Sequence, residues 1–383
     1  MSRTLYRNGA VYSTHDPFAT ALLVDDDTVA WLGSEEAADG IAGTDVTVVD
    51  LAGALITPGL YDSGLAPVPG ADPAARWAQL TAAGYVAVTA HGAPDDARHA
   101  GHLRALAAEA ESPASGLPGT RLWAARTVHD AAGVDHLRDV IGPHLAGAAP
   151  APDDATDVPA LTAHLTAVTR AGLAAGWAVT TDAELDALRV ALPAAAAAGA
   201  PLRGAGVTLA VATDLDAADR SLLSRHGVTV LITPTDGLPL RTPLAALAAD
   251  GVPLVLGTSA WHRGGTEPAP PWSLVRACVQ HPDPAQRLSS RAAFLALSRG
   301  GWRAARAVHP LLGQLVPGAP AGLAVWEATE LMVQTPDSTV AAWSTDPRAG
   351  TPLLPALDTG TDPRCLRTVR DGLVVHDDGT LAG

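Results

Sequence analysis

The chain has 383 residues, 48% of them hydrophobic, and a formal charge of −15 from 40 acidic and 25 basic residues. That length and apolar content suffice for a large buried core and for one barrel with a small accessory domain. The acidic balance argues against a phosphate-backbone partner, which requires a basic face, so nucleic acid is not an expected ligand.

All 25 basic residues are Arg, and lysine is absent. Chemistry that needs a lysine is thereby excluded: Schiff bases, a phosphate-loop lysine and a carbamylated lysine bridging two metals. The two cysteines, Cys278 and Cys365, are too few for a disulfide framework and lack zinc-site spacing; they read as small buried hydrophobes. No run of ~18 uncharged apolar residues is present, and Met1, Ser2 and Arg3 do not open a signal peptide, so no membrane association and a cytoplasmic location are expected.

In chain order, residues 4–57 alternate short apolar runs with Asp and Gly turns, the pattern of a small antiparallel sheet. Residues 58–310 then alternate strand-like runs (86–90, 121–126, 177–181, 207–212, 228–233 and 253–257) with Ala-rich helical stretches (73–83, 100–110, 159–175 and 184–198). With an opening strand at 55–60 this gives at least seven strands, which fits an α/β fold of the distorted (β/α)8 TIM-barrel kind with one strand unseen. Residues 147–157, rich in Pro, Ala and Asp, read as an exposed loop. The end of the chain returns to strands at 322–326, 366–369 and 371–375, the last two as a hairpin. The expected organisation is therefore a composite β-sandwich, 1–57 with 311–383, around a barrel at 58–310. Among the aromatic residues, Trp123, Trp177, Trp261 and Trp272 could line an apolar pocket, with packing the preferred reading, and the Ala194 to Ala198 run reads as the end of a barrel helix.

Residues 51–64 (LAGALITPGLYDSG) resemble the opening of the amidohydrolase superfamily barrel, where a strand runs into TPG, two hydrophobics and D-x-H-x-H. Further stretches are similar to the branch of N-substituted formamide deformylase-like enzymes: 176–179 before its HAIGD motif, 216–234 at its sixth strand, 251–258 beside GVPLALGSD, and 313–323 beside its return to the sandwich. The resemblance implies a hydrolase of carbon–nitrogen bonds other than peptide bonds, built around zinc or another divalent metal, and a homodimer.

The departures from that pattern fall on the chemistry. Where the resemblance places metal ligands, the chain carries Gly64, Ala66, Asp182, Val211 and Ser259, while Asp186 keeps the closing acid of HAIGD. Glycine, alanine and valine offer no donor atom, and Ser259 cannot serve as a carboxylate base. No cofactor is expected, and the leading expectation is an amidohydrolase-like pseudoenzyme with a pocket for a small molecule in the barrel mouth. Two alternatives stay open. One is an enzyme with a rearranged or metal-independent site using His91, His129, Asp182 or His262, all near strand ends; the other is a non-catalytic scaffold or regulatory partner of an active homologue. Asp62 reads as an acid that braces the first strand end.

Overall fold

The computed structural model describes residues 2–66, 73–92, 97–234, 240–258, 269–328, 331–334, 343–344, 352–357 and 362–382. The N-terminal strands are β1 (Arg3–Arg7), β2 (Ala10–Val11), β3 (Ala21–Asp25), β4 (Thr28–Gly33), β5 (Thr47–Asp50) and β6 (Leu55–Pro58), with a short helix α1 (Glu35–Asp39) after β4. They do not form one antiparallel sheet. β1 pairs antiparallel with β3 but parallel with β5, and β2 and β6 pair parallel in a second sheet completed by C-terminal strands.

The middle of the chain alternates strand and helix: β7 (Leu60–Leu65), α2 (Pro73–Ala82), β8 (Tyr85–Gly92), α3 (Ala97–Glu109), β9 (Gly119–Ala125), α4 (Ala131–Ile141), β10 (Leu145–Ala149), α5 (Val158–Arg170), β11 (Ala174–Val179), α6 (Asp182–Ala197), β12 (Thr208–Val211), α7 (Ala217–His226), β13 (Thr229–Ile232), α8 (Leu244–Ala249) and β14 (Leu254–Leu256). These eight strands form one sheet in sequential order from β7 to β14, and each neighbouring pair is parallel. This is the barrel. Three helices follow, α9 (Pro271–Val279), α10 (Ser290–Leu297) and α11 (Arg299–Ala304), then β15 (Leu323–Glu327), β16 (Leu331–Gln334), β17 (Trp343–Ser344), β18 (Leu354–Pro355), β19 (Arg364–Arg370) and β20 (Leu373–Asp377).

Three further expectations are corrected. The unseen strand is β10, sequence LAGAA, whose last three residues, 147–149, lie in the stretch read as a loop. It has no β-branched residue, and Gly147 has no room for a side chain: a Cβ there would sit 2.6 Å from the Trp123 indole and 2.7 Å from the Ala174 carbonyl oxygen. Second, the helix expected to reach residue 175 ends at Arg170, since Ala174 and Ala175 already pair with Gly147 and Ala148. The boundary between β6 and β7 is also sharper than a single strand at 55–60, with Gly59 separating them; a Cβ there would clash with Val86 at 2.4 Å.

Alternation along β15 joins the two halves of the fold. Leu323 and Val325 enter an apolar core with Tyr6, Leu22, Val24, Ile56 and Leu366, which is the interior of the sandwich. Ala324 and Trp326 face the opposite way and belong to the large barrel core. Trp326 Nε1 donates to Thr57 Oγ1 at 2.8 Å, and Thr368 Oγ1 donates to the Thr81 carbonyl at 2.7 Å, so these buried polar groups at the seam are paired.

Candidate functional site: the two ends of the barrel

Barrel enzymes build their chemistry where the strands end. At that end Asp62, on β7, is fully buried, and Oδ1 accepts from Gly64 N and Thr258 N, both at 3.0 Å, while Oδ2 accepts from Thr258 Oγ1 at 2.5 Å. Burial pushes its carboxyl up to about 6, against the opposing pull of the Thr258 hydroxyl, the Gly64 and Thr258 amides and the Arg76 charge. Both carboxylate oxygens are thus committed to joining the first barrel strand to the end of the last. The backbones meet here as well: a Cβ on Gly257 would lie 2.8 Å from Gly64 N.

The remaining sequence candidates are placed as follows. His91, at the end of β8, is 2% exposed, and its ring lies 5.2 Å from that of Trp123. His129, beyond β9, is exposed and lines a groove with α4 and α5 on the outside of the barrel. Asp182 is exposed and is the first residue of α6, next to a capping box in which Glu184 accepts from the Thr180 and Thr181 amides at 2.6 and 2.9 Å. Asp186 pairs with Arg189, which also holds the buried Asp219 at 2.8 and 2.9 Å. Ala66 and Val211 are buried apolar positions. Ser259, Trp261 and His262 lie outside the described residues. Among the described residues no three His, Cys, Asp or Glu side chains form a group able to hold a metal ion.

His164, on α5, was not singled out in the sequence. It is 1% exposed; Nδ1 accepts from Val128 N at 3.1 Å, so Nε2 carries the proton, 3.3 Å from the Ala148 carbonyl oxygen. Burial lowers this imidazole to about 4, which keeps it neutral between β9 and β10. Its signal in sequence is the helical stripe Leu161, His164, Leu165 and Val168, all buried on one face.

The opposite end of the barrel is hollow. A cavity of about 590 Å³ opens where β8, β9, β10 and β11 begin, bounded by α11 and by the C-terminal strand β19. Tyr61 and Trp302 meet edge to face here, with ring centroids 4.9 Å apart, and a Cβ on Gly301 would clash with the Tyr61 ring at 2.6 Å. Tyr61 also shares a 2.8 Å hydrogen bond with Thr89; burial raises its phenol to about 12, with Thr89 and the Arg121 charge acting in the other direction. Trp123 lines the same cavity, so its indole links the hollow end of the barrel with His91. The other two described tryptophans named from the sequence are core: Trp177 and Trp272 are 2% and 1% exposed.

No protein-family profile matches the sequence, and no curated protein matches it. Solved structures do match in three dimensions. N-isopropylammelide isopropylaminohydrolase from Burkholderia multivorans superposes with a TM-score of 0.67 at 17% identity over 100% of both chains. Escherichia coli guanine deaminase gives 0.68 at 19% identity, covering 99% of this chain and 100% of its own. Atrazine chlorohydrolase from Arthrobacter aurescens, in complex with zinc, gives 0.67 at 16% identity over 98% and 95%. At such identities the likeness concerns architecture, and the chain has the fold of the amidohydrolase-superfamily hydrolases, a TIM barrel with a β-sandwich built from both termini.

Proposed function

We propose that this protein is a pseudoenzyme on the amidohydrolase fold: it does not carry out metal-dependent hydrolysis of carbon–nitrogen bonds and acts by binding a small molecule. One observation carries the reading. Of the positions at which the resemblance sets metal ligands, Gly64, Ala66 and Val211 are buried and have no donor atom, and Asp182 is an exposed residue at a helix start. The donor set does not fit zinc, which needs three or four imidazole, thiolate or carboxylate ligands about one point. Asp62 does not replace them: Thr258 and Gly64 engage its oxygens, and among the described residues no group of three His, Cys, Asp or Glu side chains that could hold a metal includes it.

The chemical consequence follows directly. In a metallohydrolase the ion generates hydroxide near neutral pH and polarises the scissile carbonyl. The buried groups at this strand end, Asp62 in its brace and His91 against Trp123, offer packing and hydrogen bonding in place of that function.

The test is metal content by inductively coupled plasma mass spectrometry, on protein purified without chelator and on stripped protein re-exposed to zinc, manganese and iron. Less than about a tenth of an equivalent in each case is expected, since an intact site retains its ion. Stoichiometric metal would overturn the proposal and direct the search for ligands to His91 and to His262.

A further inference from the structure

We propose that the cavity at the N-terminal end of the barrel strands is a binding site for a small aromatic carboxylate. The site is separate from the strand-end position where the fold's hydrolases work, and the inference stands whether or not the metal reading holds.

Size and lining set the first half of the argument. A volume of about 590 Å³ lies within the usual range for ligand sites, about 300–1,000 Å³. Tyr61, Trp123, Trp302 and Leu312 supply flat and apolar surface, which favours a planar body that stacks on or packs edge to face with indole and phenol rings. Core rings normally fill the space they surround; here Trp302 and Trp123 line a hollow instead.

Charge sets the second half. Three guanidinium groups, Arg121, Arg306 and Arg370, border the cavity in a chain whose net charge is −15. Arg306 is spent on the Gly172 and Ala205 carbonyls, and Arg370 on the Leu117 carbonyl at 2.8 Å with Asp371 beside it. The acids of the lining are also engaged: Glu111 stands 3.5 Å from His144 Nε2, and Asp371 stands 3.5 Å from Arg370 Nε. Arg121 is different. It is half-buried on β9, and no hydrogen bond or ion pair to it occurs among the described residues. A guanidinium held in a partly dry, aromatic hollow is matched by a planar carboxylate, which takes two parallel N–H bonds and brings the compensating charge.

The experiment is isothermal titration calorimetry of the full chain with 2-naphthoate, repeated with the neutral isostere 2-naphthamide, and followed in parallel by tryptophan fluorescence. One equivalent of 2-naphthoate should bind and quench, with naphthamide weaker by about tenfold or more. Arg121→Gln should weaken naphthoate by about the same factor and leave naphthamide unchanged, while Arg241→Gln, a surface control paired with Asp214, should bind like the wild type. Equal affinity for acid and amide, no saturable binding, or naphthoate binding that survives Arg121→Gln would each overturn the proposal. The acid–amide comparison needs no variant and decides the matter even if Arg121→Gln fails to fold.

Discussion

Asp62 and Thr258 close the barrel: the first strand reaches the end of the last through a hydroxyl-to-carboxylate bond of 2.5 Å and an amide-to-carboxylate bond of 3.0 Å. The same carboxylate holds Gly64 N, so one side chain sets the local backbone of β7 and the seam between β7 and β14. Substituting Asp62→Ala strands two buried amides and a hydroxyl. A loss of about 2–4 kcal/mol is expected in urea denaturation, and a loss under about 0.5 kcal/mol, the range of ordinary surface substitutions, would show that the seam does not depend on it.

The ionisation of Asp62 carries its own signature. Its folded-state value lies near 6, above the ordinary 3.8, so the native state holds this proton more tightly than the unfolded chain does. The stability it contributes is therefore full below about pH 4 and is lost as pH rises through about 6, to the extent of about 3 kcal/mol. Asp62→Asn removes the titration. Relative to wild type, the variant should gain stability steadily between pH 4 and pH 6; a constant difference across that window would contradict the raised value.

His164 acts with the opposite sign. Burial lowers it from 6.5 to about 4, so its contribution is full above about pH 6.5 and falls away as pH drops toward 4, again by about 3 kcal/mol. The two buried groups offset each other across the same interval. His164→Gln should accordingly remove the acid-side loss while costing stability at pH 7, where Val128 N and the Ala148 carbonyl lose their ring partner. Nitrogen-15 spectra should show the neutral, Nε2-protonated ring down to about pH 5; an imidazolium signal at pH 6 would refute the assignment.

What the sequence made legible divides along physical lines. Strands such as Val86 to Ala90 and Val228 to Thr233 were readable because burial on both faces gives unbroken apolar runs, and helices such as α6 because they carry caps and periodic leucines. β10 was not readable, since LAGAA carries no β-branched or aromatic residue to mark a strand, and Gly147 is held small by the Trp123 indole. The site divides in the same way. Missing donors at Gly64, Ala66 and Val211 could be seen as chemistry absent from a motif. The hollow at the other end could not, because Tyr61, Arg121, His144 and Trp302 come from four separate segments and only the closed barrel brings them together.

The small residues opposite Trp123 provide the last test. Gly147 and Gly176 both lie against its indole; a Cβ on Gly176 would be 2.6 Å from the ring, and one on Gly147 would meet both the ring and the Ala174 carbonyl. Because the carbonyl belongs to the neighbouring strand, Gly147→Ala cannot be relieved by rotating one side chain, and about 2–3 kcal/mol of destabilisation is expected, with a changed near-ultraviolet tryptophan signal. Gly101→Ala provides the contrast: it sits in α3 with nothing within 4 Å of its added Cβ, and alanine there should be neutral or stabilising by up to about 1 kcal/mol. Equal urea midpoints for the two variants would mean that Trp123 can move, and the ring that both roofs the cavity and packs on His91 would then be a mobile element instead of a fixed wall.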